Sequence, residues 1–246
     1  WLNRIIYKNR AKRESVMSSN VTKVDTHTGG AQDDDLALQA YVCKAAGQGD
    51  NARNDATEAI LTSVQDLYYQ GYITGYEIVE YNVDYAPLAY TDVLENWMNW
   101  LEGEMALDKG CWLLVHGILS GTNVNAAYTP KGWTGPQFAT VSTSKASNNS
   151  QFKNLAIHEV YHTYLNKNCS KVQSRMGGGH GHHSLGEDYI IDGDDYRSPM
   201  STGHGEASDD GNCDTWHGLG VGYVREASSC TAISIWDSGE HAFNKH

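Results

Sequence analysis

The chain has 246 residues, a formal net charge of −12 and 40% hydrophobic residues. This composition can bury a sizeable core, so we expect a folded domain. The negative charge disfavours nucleic acid and anionic membranes as partners because like charges repel. No run approaches the roughly 18 apolar residues that a bilayer-spanning helix needs. Because the chain begins at Trp1, without a methionine or an apolar signal segment, we expect a processed, mature protein.

The first two thirds of the chain carry clear periodic patterns. Residues 53–69 have apolar side chains at helical spacing and predict a helix, and residues 76–81 predict a strand. Asp92 and Glu95 then form a capping-box pattern before a second apolar stripe. This pattern predicts a second helix that begins after Asp92 and ends near Gly110.

Short strands are predicted between this helix and the next. They span residues 111–115, 125–129 and 137–142. A helical apolar pattern follows directly, from Phe152 to Leu165. The chain therefore predicts an α+β fold up to this point.

The motif His158-Glu159-Val160-Tyr161-His162 lies within this third helix. Residues four apart share one helical face, so His158 and His162 can ligate one metal ion while Glu159 holds a water beside it. In such a site the carboxylate takes the proton of the attacking water and passes it to the leaving nitrogen. The motif therefore predicts a Zn²⁺ hydrolase with Glu159 as general base.

The order of strands and helices before this motif resembles that of the zincin metallopeptidases over roughly residues 53–165. The resemblance implies a zincin-like α+β fold, in which a mixed sheet packs on helices and an edge strand binds an extended peptide. Residues 137–142 are the expected edge, and such an edge is a natural peptide dock. The implied protein is a monomeric zinc endopeptidase with one catalytic domain, 1–246. Its N-terminal lobe, 1–165, ends in the motif helix, and its C-terminal lobe, 166–246, is irregular.

The third zinc ligand is expected after residue 166, where Gly, His, Asp and Ser dominate and seven of the 11 histidines lie between residues 158 and 217. The metzincin spacing fails, because Leu165 and Asn168 replace its glycine and third histidine. His183 is our first choice, since it stands about as far from the motif as the gluzincin glutamate and offers an imidazole nitrogen suited to zinc. The alternatives are His182, Glu187, His180, Asp188, Asp192 and His204.

Further features, most of them in the C-terminal lobe, complete the prediction. Ser198-Pro199-Met200-Ser201 resembles the Met-turn that metzincins place beneath their metal. The oxyanion donor stays open between Tyr196, Tyr223 and a spare histidine. The acidic runs 33–35 and 192–195 lack the spacing of a calcium-binding EF-hand loop and predict solvated turns, and residues 216–224 predict a short helix.

Sequons and cysteines predict an exported glycoprotein. Three sequons lie in polar stretches, at Asn20, Asn148 and Asn168. Five cysteines allow two disulfides, of which Cys213–Cys230 is the first expected pair and Cys43–Cys111 the second. We therefore expect a secreted protein.

Two other functions compete with the endopeptidase. A zinc-dependent amidase or deacetylase would share the motif but act on a non-protein substrate. A non-catalytic binding module would keep zinc for stability alone. Glu159 argues against the second alternative, because a structural zinc site closes its fourth position with another ligand and needs no adjacent free carboxylate.

Overall fold

A computed structural model describes residues 19–32, 36–130, 135–176, 181–201 and 222–242. These residues form an α+β structure with a mixed sheet and five α-helices. The strands are β1 (Val21–Gly30), β2 (Ala37–Lys44), β3 (Gly75–Val83), β4 (Cys111–His116), β5 (Ala126–Tyr128), β6 (Gln137–Ser142), β7 (Asp188–Ile191), β8 (Asp194–Arg197) and β9 (Gly222–Tyr223). The α-helices are α1 (Asp50–Tyr69), α2 (Val93–Glu104), α3 (Asn149–Tyr164), α4 (Ser170–Met176) and α5 (Ser229–Ala242).

The main sheet has six strands in the order β1-β3-β2-β4-β6-β5. The four inner strands run parallel, whereas β1 and β5 are antiparallel to their neighbours. The predicted strand 137–142 is confirmed as β6, but its assignment as the edge is wrong, because β6 pairs with both β4 and β5 and every one of its side chains is buried. Continuous burial is typical of a parallel strand covered on both faces. The edge on this side is β5.

Helices cover both faces of this sheet. The face under α1 and α3 is mostly aliphatic, and the face under α2 is rich in aromatic rings such as Trp97 and Trp112. Cys43 and Cys111 lie in the described core as free thiols, so the predicted Cys43–Cys111 disulfide is wrong. They face opposite sides of the sheet, because Cys111 pairs with Ala40, three residues from Cys43. The pair Cys213–Cys230 stays a prediction, since Cys213 lies outside the described residues.

The third helix, α3, is tied to both the sheet and α1. The Asn148 side chain accepts a hydrogen bond from the Gln151 backbone N–H at 2.8 Å and so caps the helix start. The ammonium group of Lys153 contacts the Glu58 carboxylate of α1 at 2.6 Å. At the other end, the Tyr164 hydroxyl donates to the Gln39 backbone carbonyl of β2. These contacts fix the position and rotation of the helix that carries the motif.

The predicted elements up to residue 165 are found with shifted ends. The capping box is confirmed, since Asp92 accepts a hydrogen bond from the Glu95 backbone N–H at 3.0 Å. However, α2 ends at Glu104 and not near Gly110, because the backbone of Met105 is extended. The strands β1 and β2 were not predicted.

The C-terminal part is more regular than its composition predicted. It contains α4, two 3-10 turns (Gly181–Leu185 and Pro199–Ser201) and a small sheet of β7, β8 and β9. The acidic run 192–195 forms the exposed β7–β8 turn, where Asp192 and Gly193 both have positive φ angles. The predicted helix 216–224 is wrong at Gly222–Tyr223, which is a strand, and its other described residue, 224, is not helical.

No helix within the described ranges is both long and apolar enough to cross a membrane. The run 33–35 and the ligand alternatives His180 and His204 lie outside those ranges, so their predictions are not addressed by the structure.

Candidate metal centre

Three imidazoles converge at the C-terminal half of α3. His158 and His162 project from the helix, and His183 approaches them from the 3-10 turn Gly181–Leu185. The His158 and His162 Nε2 atoms are 2.9 Å apart, and the His183 Nε2 atom is 3.3 Å and 3.1 Å from them, respectively. The chain thus brings three nitrogen lone pairs to one point.

This arrangement fits a tetrahedral metal ion. Zinc binds imidazole nitrogen at about 2.0–2.1 Å, which separates two ligands of a tetrahedron by about 3.3 Å. The observed separations of 2.9–3.3 Å approach this value. Three converging lone pairs repel one another unless a cation lies between them, so the donor set suits zinc. It leaves a fourth position for water or substrate.

Outer contacts orient two of the three rings. The His158 Nδ1 atom lies 2.7 Å from the Pro199 carbonyl oxygen, so His158 donates its Nδ1 proton there and keeps its Nε2 lone pair for a metal. The His162 Nδ1 atom lies 3.0 Å from the Nδ1 atom of His182. If His162 likewise carries its proton on Nδ1, His182 accepts it.

His182 is suited to this accepting role because it stays neutral. Burial lowers the pKa of His182 to about 4, and the charges of His183 and Lys167 act in the same direction. A protonated His182 would have no lone pair to offer His162. His182, an alternative ligand in the sequence prediction, therefore lies beside the triad as a hydrogen-bond partner of His162 and is not in the group whose nitrogens converge.

The turn that bears His183 is held by backbone contacts. Gly186 packs so closely on the next turn that an added Cβ would lie 2.1 Å from the Ser201 backbone nitrogen. The Glu187 backbone N–H donates to the Ser198 hydroxyl at 2.8 Å, and the Ser198 N–H donates to the Glu187 carbonyl at 3.0 Å. These contacts connect the His183 turn to the turn that provides the Pro199 carbonyl.

The Ser198–Ser201 segment, predicted as a Met-turn, contacts the triad at His158. Met200 is fully buried in the same core cluster as the apolar side of α3. Its neighbour Pro199 supplies the carbonyl that contacts His158. The turn therefore provides a hydrogen-bond acceptor for His158 and a buried apolar side chain in the core.

Glu159 lies beside the imidazoles and is only 5% exposed. Burial raises the pKa of Glu159 to about 8, because a charged carboxylate is poorly solvated there. A divalent cation held by the neighbouring imidazoles would lower that pKa by favouring the carboxylate. A carboxyl group with a pKa in this range can exchange a proton near neutral pH.

A cleft of about 870 Å³ opens onto the triad. Its floor includes His158, Glu159, His162 and His183, and the edge strand β5 forms part of its wall. The short segment 165–168 that follows α3 also lines the cleft. The sequence does not identify this segment as part of the site, because its residue types carry no motif.

The remaining described candidates lie apart from the converging nitrogens. Glu187 accepts hydrogen bonds from the Tyr189 hydroxyl at 3.0 Å and the Ser229 hydroxyl at 2.9 Å. Asp188 is buried in β7, and Asp192 is exposed in the hairpin turn. Neither aspartate is among the residues whose ligand atoms lie close enough to the three imidazole nitrogens to share a metal ion with them.

Tyr196 and Tyr223, the proposed oxyanion donors, lie on β8 and β9. Among the described residues that line the cleft, Tyr128 is the only tyrosine. His182 also lines the cleft, so a spare histidine is still available as a donor.

A second cluster of possible ligands, Asp25, His27 and Glu80, lies on β1 and β3. The Glu80 carboxylate accepts a hydrogen bond from the Arg53 guanidinium at 2.6 Å and from His27 at 3.1 Å. Since Arg53 already neutralises the buried carboxylate, this cluster is explained as an ion-pair network.

Comparison of the chain with models of known protein families gives no match, and comparison with curated proteins gives no significantly similar sequence.

Proposed function

We propose that this protein is a zinc-dependent endopeptidase of the zincin type. His158, His162 and His183 are its zinc ligands, and Glu159 is its general base. The observation that carries the proposal is the convergence of three Nε2 atoms within 3.3 Å beside a buried carboxylate. A structural zinc site would instead be expected to fill the fourth position with protein.

Each residue of the site has a defined task in peptide hydrolysis. Zinc, when bound, supplies a Lewis acid that acidifies water and polarises a carbonyl group. Glu159 accepts a proton from the attacking water and donates it to the amine nitrogen as the C–N bond breaks. Pro199 and His182 keep two imidazoles in the orientation that directs Nε2 to the metal.

A peptide substrate is favoured by the edge strand in the cleft wall. One side of β5 pairs with β6, and β5 is the last strand of the sheet on that side. An extended peptide can add to such an edge through backbone hydrogen bonds, whatever its side chains. This feature supports a peptidase over an amidase that acts on small molecules.

The fold around the site also supports the zincin proposal. A mixed sheet that packs on helices and an edge strand along the cleft are the features the resemblance implies, and β5 is such an edge strand. The buried Met200 turn, which contacts the triad at His158, favours the metzincin side of that group. The single catalytic domain 1–246 belongs to the same proposal.

We also propose that the protein is secreted, glycosylated and monomeric. The sequon asparagines Asn148 and Asn168 are exposed, as glycosylation requires. The net charge of −12 supports a protein substrate over nucleic acid or anionic membranes.

The proposal is tested by measuring bound zinc and casein hydrolysis for three proteins. These are the wild type, Glu159→Gln and the control Glu102→Gln, which makes the same change at an exposed position of α2. We expect about one zinc per chain in all three, and cleavage reduced by about 10²–10⁴-fold in Glu159→Gln only. Zinc without cleavage by the wild type would overturn the peptidase proposal and favour an amidase or a binding module. Absence of zinc would overturn the metal centre itself.

A further inference from the structure

Lys167 places a positive charge in the cleft. Of the described residues that line it, only Lys167 and Glu159 have acidic or basic side chains, apart from the histidines. Glu159 is buried at the floor, whereas Lys167 is exposed on the segment that follows α3. A substrate in the cleft would therefore meet a cation in the same cleft as the three imidazoles.

The backbone of Lys167 is fixed, so the position of its charge is restricted. The Lys167 carbonyl accepts a hydrogen bond from the Gln173 side chain at 2.8 Å. Its neighbour Asn166 is buried, and its backbone N–H donates to the Ser238 hydroxyl of α5 at 2.8 Å. The Asn166 side chain in turn accepts from the Asn168 N–H at 2.9 Å. Only the side chain of Lys167 remains free to adjust to a ligand.

The charge of Lys167 is not neutralised within the described structure. None of the ion pairs among the described residues involves Lys167, although other lysines pair with carboxylates, as Lys44 does with Asp50 at 2.6 Å and Lys153 with Glu58 at 2.6 Å. Lys167 lines the same cleft as the three imidazoles. A carboxylate on the substrate could therefore pair with this ammonium group without displacing an existing partner in the described part of the chain.

We infer that Lys167 selects peptide substrates with an aspartate or glutamate side chain close to the scissile bond. The inference rests on the proposed endopeptidase function and specifies its substrate class. The overall charge of −12 does not oppose it, because salt screens exposed charges beyond about 8 Å at physiological ionic strength. A substrate side chain in the cleft therefore interacts mainly with the charges that line the cleft, and the exposed one among the described residues is the positive charge of Lys167.

The experiment uses pairs of quenched fluorogenic peptides in which one residue is either Glu or its neutral isostere Gln. The residue is moved through each position on both sides of the scissile bond. For the wild type we expect kcat/KM to be about tenfold higher for Glu than for Gln at one position, which corresponds to about 1.4 kcal/mol. The preference should fall as salt is added.

Three variants assign the preference to the side chain. Lys167→Gln should abolish it, and Lys167→Glu should reverse it in favour of Gln. The control Lys145→Gln removes an exposed lysine that is not among the residues lining the cleft and should keep the tenfold ratio. An unchanged Glu/Gln ratio in Lys167→Gln, or equal cleavage of both peptides by the wild type, would overturn the inference.

A binding measurement separates failure of this inference from failure of the proposed function. Fluorescence anisotropy of the same peptides with the Glu159→Gln protein reports recognition without hydrolysis. If the wild type cleaves nothing but Glu peptides still bind about tenfold more tightly in a Lys167-dependent way, the endopeptidase proposal fails and acidic-peptide recognition at this cleft stands. If neither cleavage nor binding depends on Lys167, the inference fails by itself.

Discussion

The candidate metal centre is built from a helix and a 3-10 turn, and the positions of these two segments are determined in different ways. His158 and His162 lie on a regular helix, where four-residue spacing alone places them on one face. His183 lies on a short 3-10 turn that is positioned by contacts with residues distant in sequence, including the Ser198–Ser201 segment. Two of the three candidate ligands therefore follow from local helix geometry, and the third depends on tertiary packing.

Zinc affinity should change most when a candidate ligand is removed from the helix or from the 3-10 turn. His162→Ala and His183→Ala should each weaken zinc binding by more than about 100-fold, the upper end for losing an outer-shell partner. Competition with a chromogenic chelator measures the affinity. If His183→Ala binds zinc as tightly as the wild type, the third ligand has been assigned wrongly.

Gly186→Ala should separate the two halves of the site. The added Cβ would lie 2.1–2.5 Å from backbone atoms of Met200 and Ser201, so one of the two turns must move. We expect a loss of about 3 kcal/mol in the free energy of unfolding, as for severe overpacking, together with weaker zinc binding. Urea denaturation and zinc titration measure the two effects. The control Gly103→Ala adds a methyl group in open space on α2 and should leave both unchanged or slightly raise stability.

His116 offers a pH-dependent test of the regular half of the molecule. It is fully buried at the end of β4, where its Nε2 contacts the Val124 carbonyl at 2.9 Å and its Nδ1 accepts from the Ile118 N–H at 3.0 Å. Burial lowers the pKa of His116 from 6.5 to about 4. As pH falls, His116 is therefore protonated at a higher pH in the unfolded chain than in the fold. Protonation does not oppose folding above pH 6.5, where the ring is neutral in both states.

As pH falls from 6.5 to about 4, protonation of His116 in the unfolded chain should lower the free energy of unfolding by about 3 kcal/mol. In His116→Gln the free energy of unfolding should therefore fall less steeply across this range than in the wild type. Urea titrations at several pH values, with chelator present to remove metal effects, give both slopes. Equal slopes in the two proteins would show that protonation of His116 does not cause this loss of stability.

His182→Leu should affect zinc binding less than loss of a ligand. It removes the acceptor 3.0 Å from the His162 Nδ1 atom, and loss of such a partner typically weakens metal binding by about 10–100-fold. His182→Gln can restore an acceptor oxygen and should recover part of the affinity. An affinity loss as large as that of His183→Ala would instead make His182 a ligand.

The smallest effect is expected at the start of α2, on the sheet face remote from the site. Asp92→Ala removes the cap to the Glu95 N–H and should lower the free energy of unfolding by about 1 kcal/mol without changing zinc affinity. Asp92→Asn retains a capping oxygen and should lose less. A change in zinc affinity would show that the two faces of the sheet are coupled.

Much of the fold up to residue 165 could be predicted from sequence, because α1, α2 and α3 carry apolar stripes with helical spacing. The edge strand could not, because strand order depends on pairing between distant segments. In the structure β6 is buried along its whole length, whereas β5 is short and half-exposed. This difference in burial identifies β5 as the edge strand, but it arises only when the strands are paired.

By itself the sequence determined the helical pair His158 and His162 and the placement of Glu159 beside them, since helix geometry needs no tertiary information. It left open which later side chain would join them, because a segment rich in Gly, His and Asp has no periodicity to fix its path. Only the tertiary structure brought His183 to the pair, turned His182 to the outer side of His162 and placed Lys167 in the cleft. These positions depend on close backbone contacts such as Gly186 on Ser201, which residue spacing does not encode.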